Sequence, residues 1–319
     1  MQAVITRLKP DRIREKIWVN NWPDTPNLLA SQVKTKTLFS GISNGTDRND
    51  LIGGNYATYR PHEILPNTFG YQNVGQVIEV GSDVKTLNIG DLVYLSQNHI
   101  EYCVVPEDSL LVKLTAQIHP QEAALLGMAS TAHRSCRYAN LKSGDKLLIV
   151  GAGCIGQMVA QIARHLGVKV TICDVDAGRL RLAEELGSAE LVLNTAGDNW
   201  DLYIPDRTYQ AAIDLAGALG MEDKLIAATV RGGTVLFIAG RFQINYTFNL
   251  GQSREITIKQ NSHFDNQDLV AVGQLVDSGK LKIMPLIRDI VPVKDAHKIY
   301  EILRSEPQRL LGTVFDWTN

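Results

Sequence analysis

Residues 147–156 read LLIVGAGCIG, an apolar run that ends in Gly151-Ala152-Gly153-Cys154-Ile155-Gly156 and passes straight into QMVAQIARHLG. Four consecutive aliphatic residues fit a strand buried on both faces, and the segment that follows repeats apolar residues at helical spacing. The three glycines therefore sit at a strand-to-helix turn. Gly151 permits the tight turn, Gly153 lets the backbone approach a pyrophosphate, and Gly156 lets the helix pack close to the strand. Ile155 lies in the same turn, and the amides at the helix start bind the anion. A second apolar strand, VKVTICD, ends in Asp174, 18 residues beyond Gly156. Strand, glycine turn, helix, strand and acid in this order are the fingerprint of a dinucleotide site.

The acid bears on which dinucleotide. A carboxylate at the end of the second strand accepts hydrogen bonds from the adenosine ribose hydroxyls and repels a 2′-phosphate, so NAD(H) is preferred over NADP(H). The alternative is that Asp174 helps Asp176 cap the next helix. Arg179 is placed near the adenine, or where it tolerates a phosphate, so the preference is not absolute. Two further apolar runs, QAAIDLAG and GTVLFIAG, end in Ala216-Gly217 and Ala239-Gly240. Small residues at the carboxyl ends of parallel strands leave room for the nicotinamide half of the cofactor, although alone they would read as ordinary turn residues.

Outward from this centre, the texture changes at about Pro120. Before it, QVKTKTLFSGIS (32–43), NVGQVIEVGSDV (73–84), GDLVYLS (90–96) and IEYCVVPEDSLLVKL (100–114) are short β-patterned runs ending at turn signals, which predict a barrel-like module. After it, PQEAALLGMASTAHRSCRYA (120–139) has helical spacing, and strand and helix alternate to about Ser262. The tail carries an amphipathic helix, DAHKIYEILRSE (295–306), and a closing strand, LLGTVFDW (310–317).

The length of 319 residues predicts two domains, and 45% hydrophobic against 21% charged residues is ordinary for a globular chain. With 32 basic and 34 acidic residues the net charge is -2, and no basic stripe tracks a phosphate backbone, so nucleic acid is not expected as a partner. The N-terminus has no signal-peptide core and no run approaches a membrane span, so a soluble, cytoplasmic chain without a membrane partner is expected. Cys103, Cys136, Cys154 and Cys173 form no C-x-x-C pair and read as buried free thiols, with a metal or redox role as the alternative.

Seven stretches occur in an order that resembles the medium-chain dehydrogenase/reductase superfamily: SGISNGTD (40–47), FGYQNVGQVIEVG (69–81), IGDLV (89–93), AALLGMASTAHRS (123–135), VGAGCIGQ (150–157), DLAG (214–217) and VRGGTVLFIAG (230–240). The S-G-I-S-x-G-T-[DE] and G-Y-x-x-V-G-x-V variants look most like its bacteriochlorophyllide a dehydrogenase branch. The resemblance implies an α/β fold, a Rossmann doubly wound parallel sheet inserted into a GroES-like β-barrel domain. Residues 1–125 and 264–319 would form the substrate and catalytic domain and 126–263 the dinucleotide domain, with the active site in the cleft between them. It also implies a homodimer formed through an edge strand of the nucleotide domain, here TVLFIAG or a neighbour.

The departures from the family pattern are informative. Zinc-dependent members carry a Cys in the first motif, a His-Glu pair in the second and a third ligand four residues before the helix Thr. Here those places hold Ser43 or Asn44, Tyr71 followed by Gln72, and Gly127. A zinc site needs three thiolate, imidazole or carboxylate donors, so no metal is expected. The four-cysteine structural lobe is missing too, since only Cys103 lies between Gly90 and Leu114. The histidine that often relays protons corresponds to Asn49.

Without a metal, a protein group must stabilise the charge that develops on a carbonyl oxygen. Tyr71 stands at the family's His position and is the first candidate, against a purely packing role. Thr46 matches the residue that hydrogen-bonds the substrate oxygen, and Ser43 is a second donor; both also serve as turn-stabilising hydroxyls. Asp47 is expected to fix the loop. Thr131 matches a residue that touches the nicotinamide carboxamide or ribose, and His133 and Arg134 follow it. His62, His99, His119, His165, His263 and His297 have no motif support. Tyr56, Tyr59 and Arg60, in the segment 48–66, would border the substrate pocket or face solvent. The implied activity is hydride transfer between nicotinamide and a secondary alcohol or ketone, a small-molecule substrate of specialised metabolism. Alternatives are a quinone- or enoyl-type double-bond reductase, and a non-catalytic NAD(H)-binding protein.

Overall fold

The sequence MQAVITRLKPDRIREKIWVN opens the computed structural model as a hairpin that the motif reading passes over. β1 (Ala3–Leu8) and β2 (Arg14–Val19) pair antiparallel from Ala3 opposite Val19 to Leu8 opposite Arg14. β3 (Gln32–Ile42) shows the period-two rule plainly: Val33, Thr35 and Thr37 are buried, while Lys36 between them is exposed. β4 (Asn67–Thr68) adds to β1, and β5 (Asn73–Val80) pairs antiparallel with β3. Residues 1–54, 63–197 and 199–319 are described; Tyr56, Tyr59, Arg60 and His62 lie outside them.

β6 (Leu92–Leu95) pairs with β5, β7 (Tyr102–Pro106) with β3, and β8 (Leu111–Lys113) with β6. The run 100–114 thus makes two strands rather than one. Pro106 has no amide for the ladder, and its carbonyl accepts both the Ser109 hydroxyl at 2.7 Å and the Ser109 amide at 3.2 Å, closing a turn. Val33, Val77, Leu87, Val93, Leu95, Cys103 and Val105 form a buried cluster inside these strands.

The helical stretch from Pro120 breaks into Pro120–Ala123 and Leu126–Ala139. A parallel six-stranded sheet follows: β9 (Lys146–Val150), β10 (Lys169–Asp174), β11 (Leu191–Asn194), β12 (Tyr209–Asp214), β13 (Thr229–Phe237) and β14 (Thr257–Lys259), in the spatial order β11-β10-β9-β12-β13-β14. This is the doubly wound order, with its switch point between β9 and β12. Its buried cluster includes Leu148, Cys173, Ala212, Leu225, Val235 and Phe237. TVLFIAG contributes β13, which is interior; the neighbouring β14 is the edge strand on that side.

After the helix Asn266–Asp277, capped by a reciprocal box between Asp265 and Asp268, the chain forms β15 (Ile287–Pro292) and β16 (Gly312–Asp316). β16 pairs antiparallel with the far half of β3, Val314 opposite Gly41, so the C-terminal strand completes the N-terminal sheet. The amphipathic helix Ala296–Ser305 buries Ile299, Tyr300 and Leu303 with Ile42, Leu51, Phe315 and Trp317. The chain divides into two units, Met1–Gly127 with Asp265–Ser278 and Ile283–Asn319, and Met128–Phe264 with Gly279–Lys282. No helix among the described residues is long and apolar enough to cross a membrane.

Candidate nucleotide and catalytic sites

At the carboxyl end of β9, Gly151 has φ +104° and donates its amide to the Cys173 carbonyl at 2.8 Å. A Cβ on Gly156 would be driven into the Gly151 carbonyl oxygen, so only glycine lets the helix Cys154–His165 begin this close to the strand. At Gly153, the residue preceding that helix, a Cβ would meet nothing within 4 Å. The turn is therefore tightly packed below and open above, as a backbone cradle for an anion requires.

Asp174 ends β10 and binds the cradle. Its Oδ2 accepts the Ala152 amide at 2.7 Å and its Oδ1 the Asp176 amide at 2.9 Å. Capping of the helix Ala177–Glu185 falls to Asp176, which accepts the Arg179 amide at 2.9 Å. Asp174 is thus a held carboxylate, and each of its oxygens has a second lone pair for a ribose hydroxyl. Arg179 Nη1 stands 4.0 Å from its Oδ2. Gln157 secures the same corner by donating to the carbonyls of Ala152 at 3.2 Å and Arg179 at 2.8 Å.

Across the switch point, the buried Asp214 at the end of β12 accepts the amides of Ala216 at 3.0 Å and Gly217 at 2.9 Å through Oδ1. Gly217 has φ +69°, and a Cβ on it would stand 3.0 Å from the Ala239 Cβ; one on Gly151 would stand 3.0 Å from the Ala216 amide. The turns at 151–153, 216–217 and 239–240 are therefore brought together. Thr131 lies in the helix Leu126–Ala139, 7% exposed, with its carbonyl accepting the Ser135 hydroxyl at 2.8 Å. On the same helix Arg134 bonds Tyr138 at 3.1 Å; burial, and then the Arg134 charge, lowers the pKa of His263.

In the N-terminal unit the first motif forms a helix, Asn44–Leu51, with Ser43 as its N-cap. The Ser43 hydroxyl donates to the Thr46 hydroxyl at 3.2 Å, which leaves the Thr46 proton for another acceptor. Asn44 turns away and donates to the carbonyls of Leu310 and Leu311 at 3.1 and 2.9 Å. Gln72 donates to the Gly41 carbonyl at 3.2 Å, tying the second motif to the first.

A Cβ at Gly127 would stand 3.1 Å from Tyr71 Cε2 and 3.2 Å from Gln72 Cγ, so the second and third of the positions that the resemblance gives to zinc ligands adjoin. The donor types that zinc takes are missing from all three positions. None carries a thiolate, imidazole or carboxylate, and the space a side chain at 127 needs is taken by the hydroxyl of Tyr94. That hydroxyl is fully buried and donates to the Tyr71 carbonyl at 2.9 Å; burial, and then the nearby Tyr71, push its pKa well above the ordinary phenol value. Tyr94 carries no motif signal beyond being an aromatic residue on a strand.

Asp47 fixes the first motif as expected of it, but by partners the motif does not reveal. Its Oδ2 accepts the Ser43 amide at 3.0 Å, and its Oδ1 accepts the Tyr300 hydroxyl at 3.1 Å, with His99 Nε2 at 3.8 Å and Lys16 Nζ at 3.9 Å. Lys16 is 2% exposed, bonds Asp50 at 2.8 Å and lies 4.0 Å from the Phe69 ring centre. Burial lowers its pKa against the pull of Asp47 and Asp50. His99 Nδ1 shares a hydrogen bond of 2.8 Å with the Ser40 hydroxyl, which accepts the Trp317 indole at 2.9 Å. The inward positions of β2 and the C-terminal helix were the only available signals for Lys16 and Tyr300.

The sequence of this chain matches two family models, the alcohol dehydrogenase GroES-like domain over residues 30–128 and the zinc-binding dehydrogenase domain over residues 154–278. It belongs to the medium-chain dehydrogenase/reductase superfamily and is an NAD(P)-dependent oxidoreductase. Among curated proteins it is 25% identical to D-xylulose reductase A of Aspergillus oryzae over 316 residues, covering 86% of this chain and 87% of that one. It is 30% identical over 229 residues to an NADPH-dependent alkenal/one oxidoreductase of Arabidopsis thaliana, covering 67% of this chain and 57% of the relative. The quinone oxidoreductase of Coxiella burnetii superposes with a TM-score of 0.84 at 23% identity over 99% of both chains, a likeness of fold alone.

Proposed function

We propose that this chain is a zinc-independent, NAD(H)-preferring oxidoreductase that interconverts a secondary alcohol and a ketone on a small metabolite. The observation that carries the reading is the Tyr94 hydroxyl in the side-chain space of Gly127, because it replaces a metal ligand with a packed phenol. The ordered Asp174 carboxylate supports the cofactor preference. The motif variants of the bacteriochlorophyllide a dehydrogenase branch and a homodimer paired through an edge strand belong to the same reading.

NAD(H), when bound, would supply the hydride acceptor or donor at the substrate carbon. The protein's part is to hold the proton on the oxygen. Thr46, whose oxygen accepts from Ser43, donates to the substrate oxygen, and the Tyr71 phenol supplies the proton as the alkoxide forms. The backbone amides of the glycine cradle would hold the pyrophosphate, and Asp174 would orient the adenosine ribose.

Three measurements test the proposal. Metal analysis of purified protein is expected to find no stoichiometric zinc, and titration should show tighter binding of NADH than NADPH. Replacing Tyr71 with Phe should slow ketone reduction by about 100-fold or more, the usual scale of general acid catalysis. Stoichiometric zinc, or an unchanged chemical step in Tyr71→Phe, would refute it. A second reading, reduction of a conjugated double bond, is favoured by the printed activity of the Arabidopsis relative. It needs no donor at oxygen, so an active Tyr71→Phe variant on enones would select it.

A further inference from the structure

Arg241 follows directly on Gly240, in FIAGR, and its guanidinium touches both turns on the far side of the switch point. Nη2 donates to Asp214 Oδ2, whose other oxygen holds the amides of Ala216 and Gly217. Nε donates to the Ala239 carbonyl at 3.2 Å, and Nη1 to Glu222 Oε1 at 3.2 Å. The guanidinium carbon lies 4.9 Å from the Phe237 ring centre, and the side chain is 12% exposed, against 0% for Asp214 and 9% for Glu222. One cation is therefore held by two largely buried carboxylates, a backbone carbonyl and a ring. A lysine cannot match this, because the contacts need donors in a planar fork.

The position of these turns gives the clamp its purpose. In the order β11-β10-β9-β12-β13-β14, the glycine cradle and Asp174 stand at β9 and β10, on the adenosine side. A dinucleotide crossing the switch point must lay its other half on the ends of β12 and β13. Gly217 at φ +69° has only 3.0 Å from its Cβ position to Ala239, so a shift of either turn closes or opens that surface. We infer that Arg241 is a positioning residue for the nicotinamide half of the cofactor, setting the spacing of the 216–217 and 239–240 turns through Asp214 and Ala239. The inference rests on the dinucleotide reading of the site.

Adenosine-side and nicotinamide-side effects separate with two ligands, NADH and ADP-ribose, which lacks the nicotinamide. Both are titrated by calorimetry against wild type, Arg241→Gln and Arg241→Lys, with NADH fluorescence followed in parallel. The expected result is ADP-ribose affinity within about two-fold of wild type in each variant that folds. NADH affinity should fall about ten-fold or more in Arg241→Gln, by less in Arg241→Lys, and the fluorescence enhancement of bound NADH should diminish. Unchanged NADH affinity would overturn the inference, as would equal losses for both ligands, since a scaffold role weakens both halves alike. Should Arg241→Gln fail to fold, the Arg241→Lys comparison decides on the same terms. Failure of wild type to bind either ligand would instead overturn the dinucleotide reading itself.

Discussion

The hydroxyl of Tyr94 occupies the space in which a side chain on Gly127 would begin, and it donates to the carbonyl of Tyr71 at 2.9 Å. The two residues therefore constrain each other. Adding a methyl in Gly127→Ala overpacks a filled volume and is expected to cost about 1–3 kcal/mol. Tyr94→Phe removes one buried hydrogen bond, a loss of about 1 kcal/mol. The double variant should lose less than the sum, because the phenylalanine no longer places an oxygen against the new methyl. Urea denaturation of the four proteins measures this, and strictly additive losses would show that the two residues do not share the space.

Asp174 holds the glycine cradle by one oxygen and the Asp176 amide by the other. Asp174→Ser removes the charge that repels a 2′-phosphate and the bonds offered to the ribose. A hydrogen bond to a charged group is worth about 1.5–3 kcal/mol, so NADH affinity should fall about ten-fold or more while NADPH affinity holds or rises. Fluorescence titration with both cofactors reads the ratio. A ratio equal to that of wild type would remove Asp174 from cofactor selection.

Much of the nucleotide unit was legible because its constraints are local. Gly151, Gly153, Gly156 and Asp174 lie within 24 residues, and each answers to one geometric demand of a strand-turn-helix unit. That Ser43, Asn44, Tyr71, Gln72 and Gly127 carry no thiolate, imidazole or carboxylate is visible without coordinates. What fills the space is not, because Tyr94 reaches Gly127 only through the pairing of β5 with β6. The ion cluster around Asp47 was likewise hidden, for it joins Lys16 from the N-terminal hairpin to Tyr300 from the C-terminal helix. The hairpin carries little sequence signal, because Arg14, Glu15 and Lys16 break the apolar alternation at the start of β2. Arg241 carries no motif signal, because its partners Asp214 and Glu222 lie 27 and 19 residues away in the sequence.

Lys16 is charge-paired in a place where an isolated charge would be costly. Lys16→Met leaves Asp47 and Asp50 without their buried cation and is expected to destabilise the protein by about 3–5 kcal/mol. Arg14, which bonds Asp50 at 2.9 Å, supports only part of what is lost. A variant as stable as wild type in urea would show that the cluster contributes no net stability. Burial lowers the Lys16 pKa below its ordinary 10.5, so in the window just below 10.5 the unfolded chain binds more protons than the folded one. This lysine therefore makes stability rise with pH there, and Lys16→Met should remove that component.

The buried thiols act in the opposite direction. Burial is the largest cause in each case, and it pushes Cys103, Cys136 and Cys173 up from 9.0 to about 12. The folded chain thus keeps thiol protons that the unfolded chain loses above pH 9. Their contribution to stability is fully present below that pH and is lost as pH rises toward about 12. Each thiol adds a slope of about 1.4 kcal/mol per pH unit inside the window. Cys136 is the cleanest probe, since burial is the sole cause of its shift. Cys136→Ala changes stability at every pH through lost packing, but it should also flatten the fall between pH 9 and 11 by about that slope. Urea denaturation in the presence of a reductant at several pH values reads the slope directly. Parallel curves for variant and wild type would show that the Cys136 thiol ionises in the folded chain as readily as in the unfolded one.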